Sequence, residues 1–133
     1  MTDYNFILDR IAQLREKFDV KEIAFDRWGA GSIVTALQEQ GVEVVDFGQG
    51  YASMSPACKE VERLVVSQKL RHPKNPVLTW CAANTVVQMD PAGNIKPSRN
   101  KSTEKIDGMV ALAMGLGRVM AKVNEPAFEF GIV

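Results

Sequence analysis

The chain has 133 residues, a common size for one domain with a single buried core, so residues 1–133 are expected to form one domain. Apolar residues at 46% and charged residues at 24% exclude a disordered chain. Sixteen Lys and Arg balance sixteen Asp and Glu, which excludes attraction to nucleic acid or anionic membrane by net charge alone and leaves local basic patches open.

Tyr4, Ile7, Leu8, Ile11, Leu14 and Phe18 recur at helical steps and predict an amphipathic helix over 4–18. VKEIAFD, from Val20 to Asp26, reads as a strand. Gly29 and Gly31 open a second helix with the stripe Ile33, Val34 and Leu37, and Gly41 stops it. VEVVDF, from Val42 to Phe47, is a second strand, so strand, helix and strand predict a parallel βαβ unit with a right-handed crossover.

Ser55-Pro56 predicts the N-cap and first position of a third helix reaching about Lys69, with Ala57, Val61, Leu64 and Val65 inward. Asn75-Pro76 starts a short helical segment through Ala83. Thr85 to Met89 and Ile95-Lys96 flank the turn from Asp90 to Asn94 as a β-hairpin. A last helix is expected from Ser102 or Thr103 to about Lys122, with Glu104 in its first turn. Its middle, 108–115, is apolar on nearly every side and is expected to be buried on most faces. Gly108, Ala111 and Gly115 would admit a neighbouring element there, and the tail after Asn124 is expected to be loose. The fold class is α/β.

Cys58, Cys81 and a single histidine, His72, lack the spacing of a zinc site or a disulfide framework, and two reduced thiols fit a cytoplasmic protein. MTDYNFILDR is no signal peptide, and Met109 to Met120 is too short and too interrupted, by Arg118, to span a bilayer, so no membrane partner is expected. Gly48-Gln49-Gly50 is not a dinucleotide fingerprint, and no P-loop occurs. His72 reads as a surface or loop-packing residue, Asp90 as a turn residue, and Trp28 and Trp80 as core.

Two acidic residues stand out. Asp26 ends a strand of the predicted parallel pair, where open α/β sheets place ligands, and it could equally cap the next helix. Asp107 sits early in an otherwise apolar helix, where it could simply answer the helix dipole. Because that helix is expected to be buried, the carboxylate is expected to point into the protein or a cleft, at a cost that a bound divalent cation would remove. Two unit charges held ~4 Å apart repel by ~4 kcal/mol at an effective dielectric of ~20, and a hard cation turns that repulsion into coordination. Oxygen ligands favour Mg²⁺ or Mn²⁺, ions that serve phosphodiester cleavage. Lys96, Arg99, Lys101 and Lys105, just before Asp107, are candidate phosphate contacts or simply a solvated loop.

The strand-ending Asp26 with Trp28, the stretch HPKNPVLTWCAAN, the hairpin DPAGNIKP and KSTEKIDG together resemble the C-terminal nuclease domain of tailed-phage terminase large subunits, over about residues 4–123. The resemblance implies an RNase H-like fold and cleavage of concatemeric viral DNA during packaging, with two metal ions, Mg²⁺ or Mn²⁺, held by acidic residues. It matches Asp26 and Asp107 to two of those acidic positions. It implies double-stranded DNA, a terminase small subunit and the portal as partners, in the host cytoplasm. In the RNase H-like order a three-stranded meander precedes the first helix and carries another metal-binding aspartate, whereas Asp3 and Asp9 lie at or in the first helix here. A truncated, partial RNase H-like domain is therefore expected. It would have a parallel βαβ unit, a hairpin and flanking helices, bind Mn²⁺ weakly and cut DNA slowly or not at all by itself. Uncovered sheet edges would favour self-association. The alternative is a non-catalytic fragment that docks on DNA or the packaging machinery. A phospho-acceptor receiver domain lacks the required acidic pair and lysine.

Overall fold

The computed structural model describes residues 3–26 and 31–123, gathered into two compact units, Met1–Phe47 and Gly48–Val133. The expectations for Trp28, Gly29 and the tail after Asn124 lie outside the described residues.

The N-terminal unit begins with α1 (Tyr4–Lys17), matching the predicted helix. Asp3 caps it by accepting the Asn5 backbone N–H at 3.0 Å, and Arg15 and Lys17 answer the negative end of its dipole. Tyr4, Leu8, Ile11 and Leu14 of the stripe are half-buried, while Ile7 and Phe18 are exposed. The strands β1 (Ile23–Phe25) and β2 (Val44–Asp46) pair parallel, with Ile23 opposite Val44 and Phe25 opposite Asp46, as the βαβ reading requires. Both are shorter than their apolar runs. Between them α2 (Gly31–Glu39) packs on α1 and β2, and Leu37, Val42 and Phe47 form the buried core of this unit. The predicted stop is a Schellman cap: Val42 N–H donates to Leu37 O and Gly41 N–H to Gln38 O, with Gly41 at φ +79°.

The C-terminal unit holds α3 (Tyr51–Val66), α4 (Pro76–Asn84), the antiparallel hairpin β3 (Val87–Met89) and β4 (Ile95–Pro97), and α5 (Asp107–Val123). Helix α3 packs on α5 and β4, and α4 packs on α5. Met54, Ala57, Cys58, Cys81, Ile95, Ile106, Val110, Ala113 and Met114 are buried. Gly108 permits the α4–α5 approach, since a Cβ there would lie 3.2 Å from Leu78 Cδ1 and 3.4 Å from Cys81 Sγ.

Five expectations are corrected here. Helix α3 starts at Tyr51 rather than Ser55, with Gly50 at its N-cap and Pro56 inside it. Ser55 is instead buried, and its Oγ accepts the Ile95 N–H at 3.0 Å, tying α3 to β4. Of the residues expected inward on α3, Ala57 is buried and Val61 and Leu64 are half-buried, but Val65 is exposed. Helix α5 starts at Asp107, because Ser102 and Thr103 are committed elsewhere. Ser102 Oγ accepts the Val86 N–H at 3.1 Å, Thr103 Oγ1 donates to Asn84 Oδ1, and Asn84 Nδ2 donates to the Lys105 carbonyl. The middle of α5 buries one face only: Val110, Ala113 and Met114 are inside, while Ala111 and Gly115 are exposed. Trp80, expected in the core, is 45% exposed.

Removing the Ser55 hydroxyl leaves the Ile95 N–H without its partner. Ser55→Ala should therefore cost about 1–3 kcal/mol in urea unfolding. A loss under about 0.5 kcal/mol would mean that water replaces the hydroxyl.

The hairpin turn also behaves as its sequence predicts. The Asn94 side chain on Oδ2, together with the Asn94 and Ala92 backbone N–H groups on Oδ1, holds the Asp90 carboxyl below its usual range. Its contribution to stability is present above the unfolded aspartate value, about 3.9, and is lost as pH falls through the lower folded value. An NMR titration should place the Asp90 midpoint below about 3.9, with the Asn94 amide losing exchange protection in the same step. A midpoint above that value would contradict the turn network. His72, also read as a loop residue, accepts the Lys74 N–H on Nδ1 at 3.2 Å.

Candidate functional site

Asp26 is the first residue beyond β1, half-buried at the carboxyl edge of the parallel pair. That edge is fixed by the bond from Phe47 N–H to Phe25 O at 2.9 Å. The same pairing puts Asp46, the last residue of β2, at this edge opposite Phe25. Asp46 belongs to no motif in the sequence, and its only local signal is its place at the end of VEVVDF. Whether Asp26 caps α2 depends on residues 27–30, which lie outside the described residues.

Asp107 belongs to the C-terminal unit and is the first residue of α5. It is not buried, contrary to expectation: its side chain is 68% exposed. Asp107 stands off the buried face that carries Val110, Ala113 and Met114, so its side chain stays in solvent. The burial cost that argued for a cation is therefore absent. In its place Arg99 Nη1 lies 2.6 Å from Asp107 Oδ1. The Arg99 side chain is itself 57% exposed, and an ion pair so open to water is worth about 0–1 kcal/mol.

The other three cations lie on the same segment. Lys96 Nζ sits 4.8 Å from the centre of the Tyr51 ring, and Gln88 Nε2 donates to the Tyr51 hydroxyl at 3.0 Å. Lys101 and Lys105 are exposed. Lys96 and Arg99 line a groove of about 340 Å³ with Gln49, Gln88, Ser98 and Asn100, and no carboxylate lines it among the described residues. Its size falls in the ~300–1,000 Å³ range of small-ligand sites. Gln49 and Gln88 carried no local signal, because they reach the groove from a loop and from β3.

Among the described residues no three His, Cys, Asp or Glu side chains come together. The donors present at Asp26 and Asp107 are carboxylate oxygens, which suit a hard cation. Thiolate ligands are disfavoured: Cys58 and Cys81 are free and buried, and burial pushes the Cys58 thiol up from its ordinary value. No helix among the described residues is long and apolar enough to cross a membrane.

The family described as terminase large subunit, endonuclease domain, matches residues 1–123. The chain is 40% identical over 130 residues to the terminase large subunit of Enterobacteria phage HK97, covering 96% of this chain and 26% of that protein. It is 34% identical over 125 residues to protein YmfN of Escherichia coli K12, covering 92% of this chain and 28% of that one. The crystal structure of the HK97 large terminase superposes with a TM-score of 0.79 at 41% identity, over 88% of this chain and 25% of that chain. The chain thus spans about a quarter of the length of these relatives.

Proposed function

Because this chain belongs to the terminase large subunit endonuclease-domain family, we propose that it forms part of an RNase H-like, Mg²⁺- or Mn²⁺-dependent nuclease that cuts concatemeric viral DNA during packaging. The observation that carries the reading is the head of α5, where the exposed Asp107 carboxylate stands beside a basic groove. Asp26 and Asp107 each contribute a carboxylate to the metal ligands. Lys96, Arg99, Lys101 and Lys105 contact the DNA backbone, and a terminase small subunit and the portal are the packaging partners.

When bound, divalent cations supply an activated water and neutralise charge that builds up on the scissile phosphate. The chain's own residues hold the ligand oxygens and place the backbone. Asp26 rides on the fixed edge of a parallel pair, and Asp107 rides on the first turn of a packed helix. The four cations give binding a sequence-independent, salt-sensitive component, as contacts to phosphate do. The test is titration calorimetry with Mn²⁺, together with nicking of supercoiled plasmid in Mn²⁺ and in EDTA. Metal binding that needs both aspartates supports the reading. DNA binding with no response to metal would favour the docking fragment instead.

A further inference from the structure

Arg99 belongs to two sites at once. Its Nη1 is 2.6 Å from Asp107 Oδ1, and its side chain also lines the groove shared with Lys96, Gln88 and Asn100. Both members of the pair are more than half exposed, so water competes for them and the pair opens at little cost. A guanidinium and a divalent cation seek the same carboxylate lone pairs and repel one another. A cation on Asp107 therefore deprives Arg99 of its acceptor. Arginine offers five N–H donors and no acceptor, and its fork fits a phosphodiester as well as a carboxylate. The adjoining groove presents another cation and neutral amides, a surface suited to that anion.

We propose that Arg99 is a latch, which holds Asp107 while no divalent cation is bound and passes to a DNA phosphate in the adjoining groove when a cation takes the carboxylate. This rests on Asp107 being a metal ligand. Because linked equilibria are reciprocal, cation and DNA then strengthen each other's binding through Arg99.

The test uses Ca²⁺ as the cation, read by calorimetry without DNA, and a fluorescein-labelled duplex read by anisotropy with and without Ca²⁺. In the wild type, Ca²⁺ should raise duplex affinity. Arg99→Ala should bind Ca²⁺ about two- to fivefold more tightly, the scale of an exposed ion pair, since a competitor for Asp107 is gone. The same variant should lose a similar factor from the Ca²⁺-dependent gain in duplex affinity, and Arg99→Lys should keep part of that gain. A merely structural role would not tighten cation binding. If Asp107→Asn abolishes Ca²⁺ binding while Arg99→Ala changes neither quantity, the latch is overturned and the metal-ligand reading stands. If Asp107→Asn leaves Ca²⁺ binding intact, that reading fails and takes the latch with it.

Discussion

Ile106→Ala should destabilise the C-terminal unit by about 2–5 kcal/mol, measured by thermal or urea unfolding. Ile106 is 1% exposed and immediately precedes α5, and its carbonyl accepts the Met109 and Val110 N–H groups at 2.9 and 3.1 Å. The substitution keeps those backbone bonds and removes only buried carbon, so the loss combines transfer out of a packed core with the cavity left behind. Total stabilities run about 5–15 kcal/mol, so this is a large share of the whole. Val119→Ala on the same helix is the control: Val119 is 58% exposed, and its loss should stay within about 0.5 kcal/mol. A loss below about 1 kcal/mol at Ile106 would show that the site collapses around the smaller side chain. Because Asp107 is the next residue, the packing of Ile106 also sets where the candidate ligand stands.

Asp26→Asn and Asp107→Asn should each weaken Mn²⁺ binding by at least about tenfold and abolish any Mn²⁺-dependent nicking. Loss of outer-shell partners alone weakens metal sites about 10–100-fold, and a charged ligand should matter no less. Asparagine keeps the shape and one carbonyl donor, so the comparison isolates the charge. The fold should survive at Asp107, since a carboxylate at an exposed helix start contributes only about 0.3–1 kcal/mol. Circular dichroism of each variant separates a lost ligand from a lost fold. Cleavage that persists in the double variant would remove the site.

Much of the N-terminal unit was legible because its signals are local. A stripe of Tyr4, Leu8, Ile11 and Leu14 specifies α1 through helical spacing, and Gly41 specifies the end of α2 through a backbone angle that a side chain disfavours. The hairpin was legible for the same reason, since Asp90, Asn94 and Gly93 build the turn from their own atoms. The strands were overextended, because an apolar run marks what can pair but not how far a partner follows it.

The candidate site divides along the same line. Strand order by itself placed Asp26 at a sheet edge, and charge spacing by itself gathered Lys96, Arg99, Lys101 and Lys105 on one segment. Only the tertiary structure decided that Ser55 serves β4 rather than capping a helix, that Ser102 bonds to Val86 just before β3 and Thr103 to α4, which delays α5, and that Asp107 faces solvent with Arg99 upon it. In each case one polar side chain had two feasible partners, one nearby in sequence and one distant. Local periodicity cannot rank them, because the distant bond forms only after packing has brought its acceptor within reach.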